Sequence, residues 1–204
     1  MELVGERWSL LIVRELMLGA RRFSDIRASL PGISAKVLTE RLGTLEEAKV
    51  LARRQLPPPG KAQVYELTEW GYATEPLIQE LGRWAAKSSA HDPTLPLSAV
   101  SLMLSLRTMA DYARIGTVAG RIGFVIGEES FVAEPGDHVL SIRRAGVGGT
   151  DAVFRAPIAS IIAGGIYAGV SWDMLEAEAG LAIEGDRALA LRFAALFSLP
   201  DKLA

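Results

Sequence analysis

Only three or four residues around Pro31-Gly32-Ile33 separate two helical stretches, FSDIRASL (23–30) and the run that begins at Ser34. Proline and glycine stop a helix, and so short a link sets the next helix at a sharp angle to the last. The second stretch is capped by Ser34 and runs to about Lys49. Its inward residues are Val37, Leu38, Leu42, Leu45 and Ala48, at helical spacing. In the first stretch Ser24 is the expected N-cap, with Asp25 in the first turn. Ahead of both lies WSLLIVRELML (8–18), an apolar helix stopped by Gly19. Two β-like runs follow, 50–55 and 63–67, around the turn PPPGK (57–61). Thr68 then caps a last helix to about Lys87, with Leu77, Ile78, Leu81 and Trp84 on one side. Helix, helix, helix, strand, turn, strand, helix is the order of a winged helix-turn-helix.

Such a fold places the N-terminal end of its second turn-linked helix in the major groove of DNA. There this chain carries Ser34, Ala35, Lys36 and Thr39, all away from the apolar face. Ser34 and Thr39 donate or accept hydrogen bonds, Lys36 suits a phosphate or guanine edge, and Ala35 suits a thymine methyl. Arg41 lies between the two faces, within reach of a phosphate, or of Glu46 or Glu69 inside the protein. Arg53 and Arg54 sit at the foot of the hairpin and Lys61 at its tip. Glu40, Glu46 and Glu47 must then point away from phosphate. Residues 1–90 hold thirteen Lys and Arg against eleven Asp and Glu, while 91–204 hold nine against thirteen. Charge therefore permits nucleic-acid contact by the first half and argues against it for the second.

The blocks GERWSLLIVREL, RRFSDIRASLPGIS, LTERLGTLEEAKVLARR and VYELTEWG, within residues 3–87, resemble the HxlR family of bacterial transcriptional regulators. The resemblance implies a winged-helix domain acting as a homodimer on a paired operator. It places Ser34, Lys36 and Thr39 in the reading helix, and Arg53, Arg54 and Lys61 in the wing. The family has a longer N-terminal helix, often with a sensing cysteine. This chain is expected to begin within that helix, and with no cysteine it has no thiol switch. Gly43, inside the reading helix, is also unusual.

The segment HDPTLPL (91–97) has two prolines and no periodicity, and reads as a linker between domains 1–90 and 98–204. Beyond it, 97–109 alternates as a strand does, yet Ser98 could cap a helix there, which is the preferred reading. β-like runs at 121–126, 130–133 and 138–143, joined by turns, predict an antiparallel meander. A strand at 152–155, helices at 157–164 and 171–178, a strand at 181–184 and a helix at 187–197 complete it. The fold class is α+β, with an antiparallel sheet covered by helices. The ending LAIEGDRALALRFAALFSLP, together with the meander, resembles sterol-carrier-protein type 2-like domains. That implies a hydrophobe-binding pocket near Phe124, Phe131, Phe154, Ile161, Ile162, Trp172, Leu175 and Phe193. Residue by residue, plain core packing accounts for each better than a pocket does.

No catalytic or metal motif is present, and no cofactor is expected. The two histidines, His91 and His138, lack triad partners, and GVGGTDA (146–152) lacks the lysine and setting of a P-loop. The start MELVGERWSLLIVREL lacks the basic region of a secretory signal, and the longest weakly polar run, 156–170, is too short to span a bilayer. A cytoplasmic protein without membrane contact is expected, and not an enzyme. Two functions fit. One is a one-component regulator that binds double-stranded operator DNA under control of a hydrophobic small molecule. The other is a lipid- or metabolite-binding module whose helical half contacts protein.

Overall fold

The computed structural model describes residues 4–57, 61–90, 92 and 95–203. It forms two compact units, Met1–Glu80 and Leu81–Ala204. The expected linker 91–97 falls within the second, and His91, Pro93 and Thr94 of it lie outside the described residues.

The first unit contains α1 (Ser9–Leu16), α2 (Phe23–Ser29), α3 (Ala35–Glu47), β1 (Leu51–Gln55), β2 (Gln63–Leu67), α4 (Glu69–Tyr72) and the start of α5 (Glu75–Ala86). Ile12, Val13, Leu16, Ile26, Leu38, Leu42 and Leu45 are buried together with Leu51 and Leu67 of the hairpin. Gly32 supplies the turn between α2 and α3 with φ of 90°, a left-handed conformation that a side chain disfavours. Two expectations need correction. Helix α2 is entered through Arg22, with extended backbone, while the Ser24 hydroxyl donates to the Asp25 carboxylate at 2.9 Å. The helix expected after Thr68 is two helices, because Pro76 has no N–H and its ring would strike the carbonyl of Tyr72 in a continuous one. Leu77, Leu81 and Trp84 do share a face, and that face is exposed, Trp84 by 73%.

A buried ion pair ties α1 to the hairpin. Glu15 is fully buried, and its carboxylate accepts from Arg21 and from Arg14, each at 3.0 Å. The backbone of Arg21 exchanges two hydrogen bonds with Tyr65 of β2, at 2.9 and 2.8 Å.

The second unit contains the end of α5, α6 (Ala99–Met109), a 3-10 turn at 115–117, β3 (Ile122–Ile126), β4 (Glu129–Gly136), β5 (Val139–Arg144), β6 (Ala152–Ala156), α7 (Ala159–Tyr167), α8 (Trp172–Glu178), β7 (Ala182–Gly185) and α9 (Arg187–Ala194). Segment 99–109 is a helix with Ser98 as its cap. Its alternation misleads because Val100, Leu102, Met103, Leu104 and Leu106 are all buried, so the helix is apolar nearly all round. Asp186 caps α9 by accepting the Leu189 N–H at 2.9 Å.

The sheet is mixed, not antiparallel. Its order is β5-β4-β3-β6-β7, with β3 and β6 parallel and the other neighbours antiparallel. The loop GVGGT crosses back over the sheet so that β6 can lie beside β3, and Val147 rests on Gly123. A methyl at Gly123 would come within 2.9 Å of the Val147 side chain, which is why glycine stands there. No helix among the described residues is long and apolar enough to cross a membrane.

Replacing Glu15 with Gln removes the carboxylate that the buried Arg21 guanidinium donates to. The expected loss is about 3–5 kcal/mol, read from the urea midpoint of the first unit, against less than about 1 kcal/mol for Arg14→Ala.

Candidate nucleic-acid interface

Helix α3 forms where Ser34 ends the turn: its hydroxyl accepts the Val37 N–H at 3.2 Å, as an N-cap does. The buried stripe Leu38, Leu42 and Leu45 fixes the rotation of the helix. The opposite face, Lys36, Thr39, Glu40, Thr44 and Glu47, is exposed, with Gly43 half-buried among them. Ser34 and Ala35 are exposed at its start. Thr39 donates its hydroxyl to the Ala35 carbonyl at 2.9 Å, leaving its oxygen as an acceptor and its methyl outermost. Lys36 has no carboxylate partner among the described residues.

The arginines are arranged differently. Arg41 is half-buried between Glu6 and Glu40, 3.4 Å from each, and pairs with neither Glu46 nor Glu69. Arg53 is held at 2.5 Å by Glu46 and lies 5.7 Å over the Tyr65 ring. The Glu46 hydrogen bond raises its affinity for a proton above the ordinary arginine value. Arg54 pairs with Glu66. Neighbouring strand residues face opposite ways, so one surface cannot take both wing arginines in the same manner. Lys61 is exposed and unpaired among the described residues, while Pro58, Pro59 and Gly60 of the turn lie outside them.

Two exposed cations that the sequence reading passed over stand free of carboxylates on the first turn-linked helix: Arg22 and Arg27. The first helix of such a pair crosses the DNA backbone, and that rule applied to RRFSDIR would have found them. The structure also corrects Glu40 and Glu47. Both are exposed on the same face as Lys36 and Thr39, Glu40 by 57%, so neither points away from the surface they form, whereas Glu46 is turned to Arg53. Gly43 costs α3 about 1 kcal/mol relative to alanine, with no left-handed φ to require it.

In the second unit five of the expected pocket residues, Phe124, Phe131, Phe154, Trp172 and Phe193, come together at one sheet face. Phe131, Phe124 and Phe154 are consecutive cross-strand partners. Phe124 stacks on Phe154 at 5.4 Å, Phe193 of α9 lies 6.1 Å from Phe124, and Trp172 of α8 lies 5.5 Å from Phe154. The four phenylalanines and Ile162 are fully buried, Leu175 is buried, and Ile161 and Trp172 are half-buried. The Arg144 guanidinium caps the row, 4.8 Å over Phe131, and pairs with Glu129. Among the described residues no cluster of His, Asp and Glu comes together that could hold a metal ion.

Residues 3–93 match the family described as HxlR-like helix-turn-helix. The HTH-type transcriptional regulator YodB of Bacillus subtilis is 42% identical over 83 residues, 41% of this chain and 74% of that protein. The chain belongs to the HxlR-like helix-turn-helix family. It is a DNA-binding transcriptional regulator, and the relatives it matches are regulators, not enzymes. An uncharacterized HTH-type transcriptional regulator of Mycobacterium tuberculosis, Rv3095, is 32% identical over 136 residues, 67% of this chain and 82% of that protein. The solved quinone-bound YodB shares 40% identity at a TM-score of 0.36, covering 41% of this chain and 86% of that one. Glu40 places an exposed negative charge on this face of α3, which weakens the attraction of the face for any phosphate. Glu40→Ala is expected to raise affinity for an unselected duplex several-fold at low salt, measured by fluorescence anisotropy.

Proposed function

We propose that the chain is a one-component regulator whose first unit binds operator DNA through helix 34–49 and the wing 51–66. The observation that carries this is the division of its cations. Arg41, Arg53 and Arg54 are held by carboxylates, while Arg22, Arg27, Lys36 and Lys61 are exposed and uncommitted. Lys36, with Ser34, Ala35 and Thr39, sits where base edges would be read. Arg22, Arg27 and Lys61 hold phosphates on either side; Arg41 and Arg53 join them by exchanging an internal carboxylate for a phosphate, and Arg54, facing the other way from the strand, reaches the backbone from the opposite side of the wing. Two copies act together. The exposed ridge Leu77, Leu81 and Trp84, at i, i+4 and i+7 along α5, suits burial against a second copy.

The functional division lies at 91–97, and the C-terminal part takes a hydrophobic small molecule. In support, the Phe131-Phe124-Phe154 row is closed by β7, the Gly185-Asp186 turn and α9, which is the arrangement implied by the sterol-carrier-protein type 2-like resemblance. The ligand would lodge among Phe124, Phe131, Phe154, Ile161, Ile162, Trp172, Leu175 and Phe193. The relative YodB, solved in a quinone-bound form, lends support to a small-molecule ligand. Without cysteine, this chain would hold its own without a thiol. Coupling of about 1–3 kcal/mol between the units would switch operator occupancy. The protein acts in the cytoplasm, with the chromosome.

Salt titration of binding to the DNA upstream of its own gene tests this reading. Arg22→Ala, Arg27→Ala and Lys36→Ala are each expected to lower the slope of log affinity against log salt by roughly 1. Slopes unchanged by all three would move the first unit's role to protein contact.

A further inference from the structure

The reading face contains a glycine that nothing inside the protein requires. Gly43 lies in the middle of α3, and its φ is not in the left-handed region. A methyl built on it would meet no atom within 4 Å. Gly71 and Gly123, by contrast, have an internal reason: a methyl at Gly71 would fall 2.1 Å from the Val50 carbonyl, and at Gly123 it would strike Val147. Mid-helix glycine weakens a helix because it adds freedom to the unfolded chain and exposes backbone to water. A weakening with no internal cause points to something that approaches from outside.

The surroundings of Gly43 say what that is. Thr39, one turn before it, and Thr44, next to it, both fold their hydroxyls back onto helix carbonyls, at 2.9 Å to Ala35 and 3.1 Å to Glu40. This stretch therefore presents methyl groups and bare backbone, low enough for close contact. Glu40 and Glu47 flank it, both exposed. Two carboxylates repel phosphate but can accept from the exocyclic amino groups of cytosine or adenine. Charge thus favours base edges over the sugar–phosphate strand at this point.

We propose that Gly43 is the close-approach position of α3: its missing side chain lets the helix sink until Thr39 and Glu40 reach base edges on the groove floor. This rests on the DNA-binding reading above. Its consequence is a trade of helix stability for sequence reading at a single residue.

Gly43→Ala and Gly43→Leu test it, because alanine and leucine are both strong helix formers and differ in bulk. The measurements are the melting temperature and the affinities for a duplex selected from a random pool and for its scrambled counterpart. Both variants are expected to melt roughly 4–8 °C higher in the first unit's transition. Affinity for the selected duplex should fall on the order of tenfold for Gly43→Ala and further for Gly43→Leu. Affinity for the scrambled duplex, set by phosphate contacts, should change less than about twofold. Unchanged binding of the selected duplex by both variants overturns the proposal while the DNA reading stands. Equal losses in both variants also overturn it, since they would reflect helix stiffness and not clearance. A wild-type protein that binds selected and scrambled duplexes alike defeats the DNA reading and this proposal together.

Discussion

The buried Glu15 carboxylate is the fixed point of the DNA-binding unit. It holds Arg21 in the interior, and the backbone of Arg21 is bonded on both sides to Tyr65 in the hairpin. The wing is thereby pinned to α1, and α1 packs on the helices that flank the turn. Charges buried this deeply are stable only while paired, so the pair acts as a registration device: the hairpin docks one way or the charge is stranded. From Tyr65 the register runs out to Arg53, whose pairing with Glu46 sets the wing against α3, and to Arg54, which pairs with Glu66 within the hairpin.

That arrangement explains how a domain with a net charge near zero can still read DNA. Most of its arginines are neutralised internally, so the phosphate attraction available without rearrangement comes from a few exposed residues on α2, α3 and the wing tip. In the proposed binding mode general affinity for DNA is then modest, and discrimination depends on the short side chains at the start of α3. A strongly basic surface would bind anywhere. In that mode this one would gain contacts where the fit is close enough for a wing arginine to leave its carboxylate.

Local signals in the sequence carried the first unit far. Ser34, the 3.6-residue period of Leu38, Leu42 and Leu45, and the Pro-Gly turn each act within a few residues of one another, so they could be read directly. Signals that depend on distant partners could not. The parallel pairing of β3 with β6 joins segments some thirty residues apart and is set by the crossing of Val147 over Gly123. The carboxylate partners of Arg53 and Arg54 follow from hairpin register and helix docking, which composition does not reveal. The alternation in 99–109 left a strand open because a helix buried on every side loses its polar stripe, and the Ser98 cap favoured the helix that forms. Arg22 and Arg27 carry no local signal of their own: an exposed arginine beside a helix usually faces water, and only the docking rule for the helix before the turn singles them out.

The central claim is that the start of α3 reads base sequence, and selection from a random duplex pool at about 150 mM salt tests it most directly. The account predicts enrichment of one paired motif, bound on the order of a thousandfold more tightly than unselected duplex. A pool that remains random after repeated rounds, with affinity equal across its members, would contradict it.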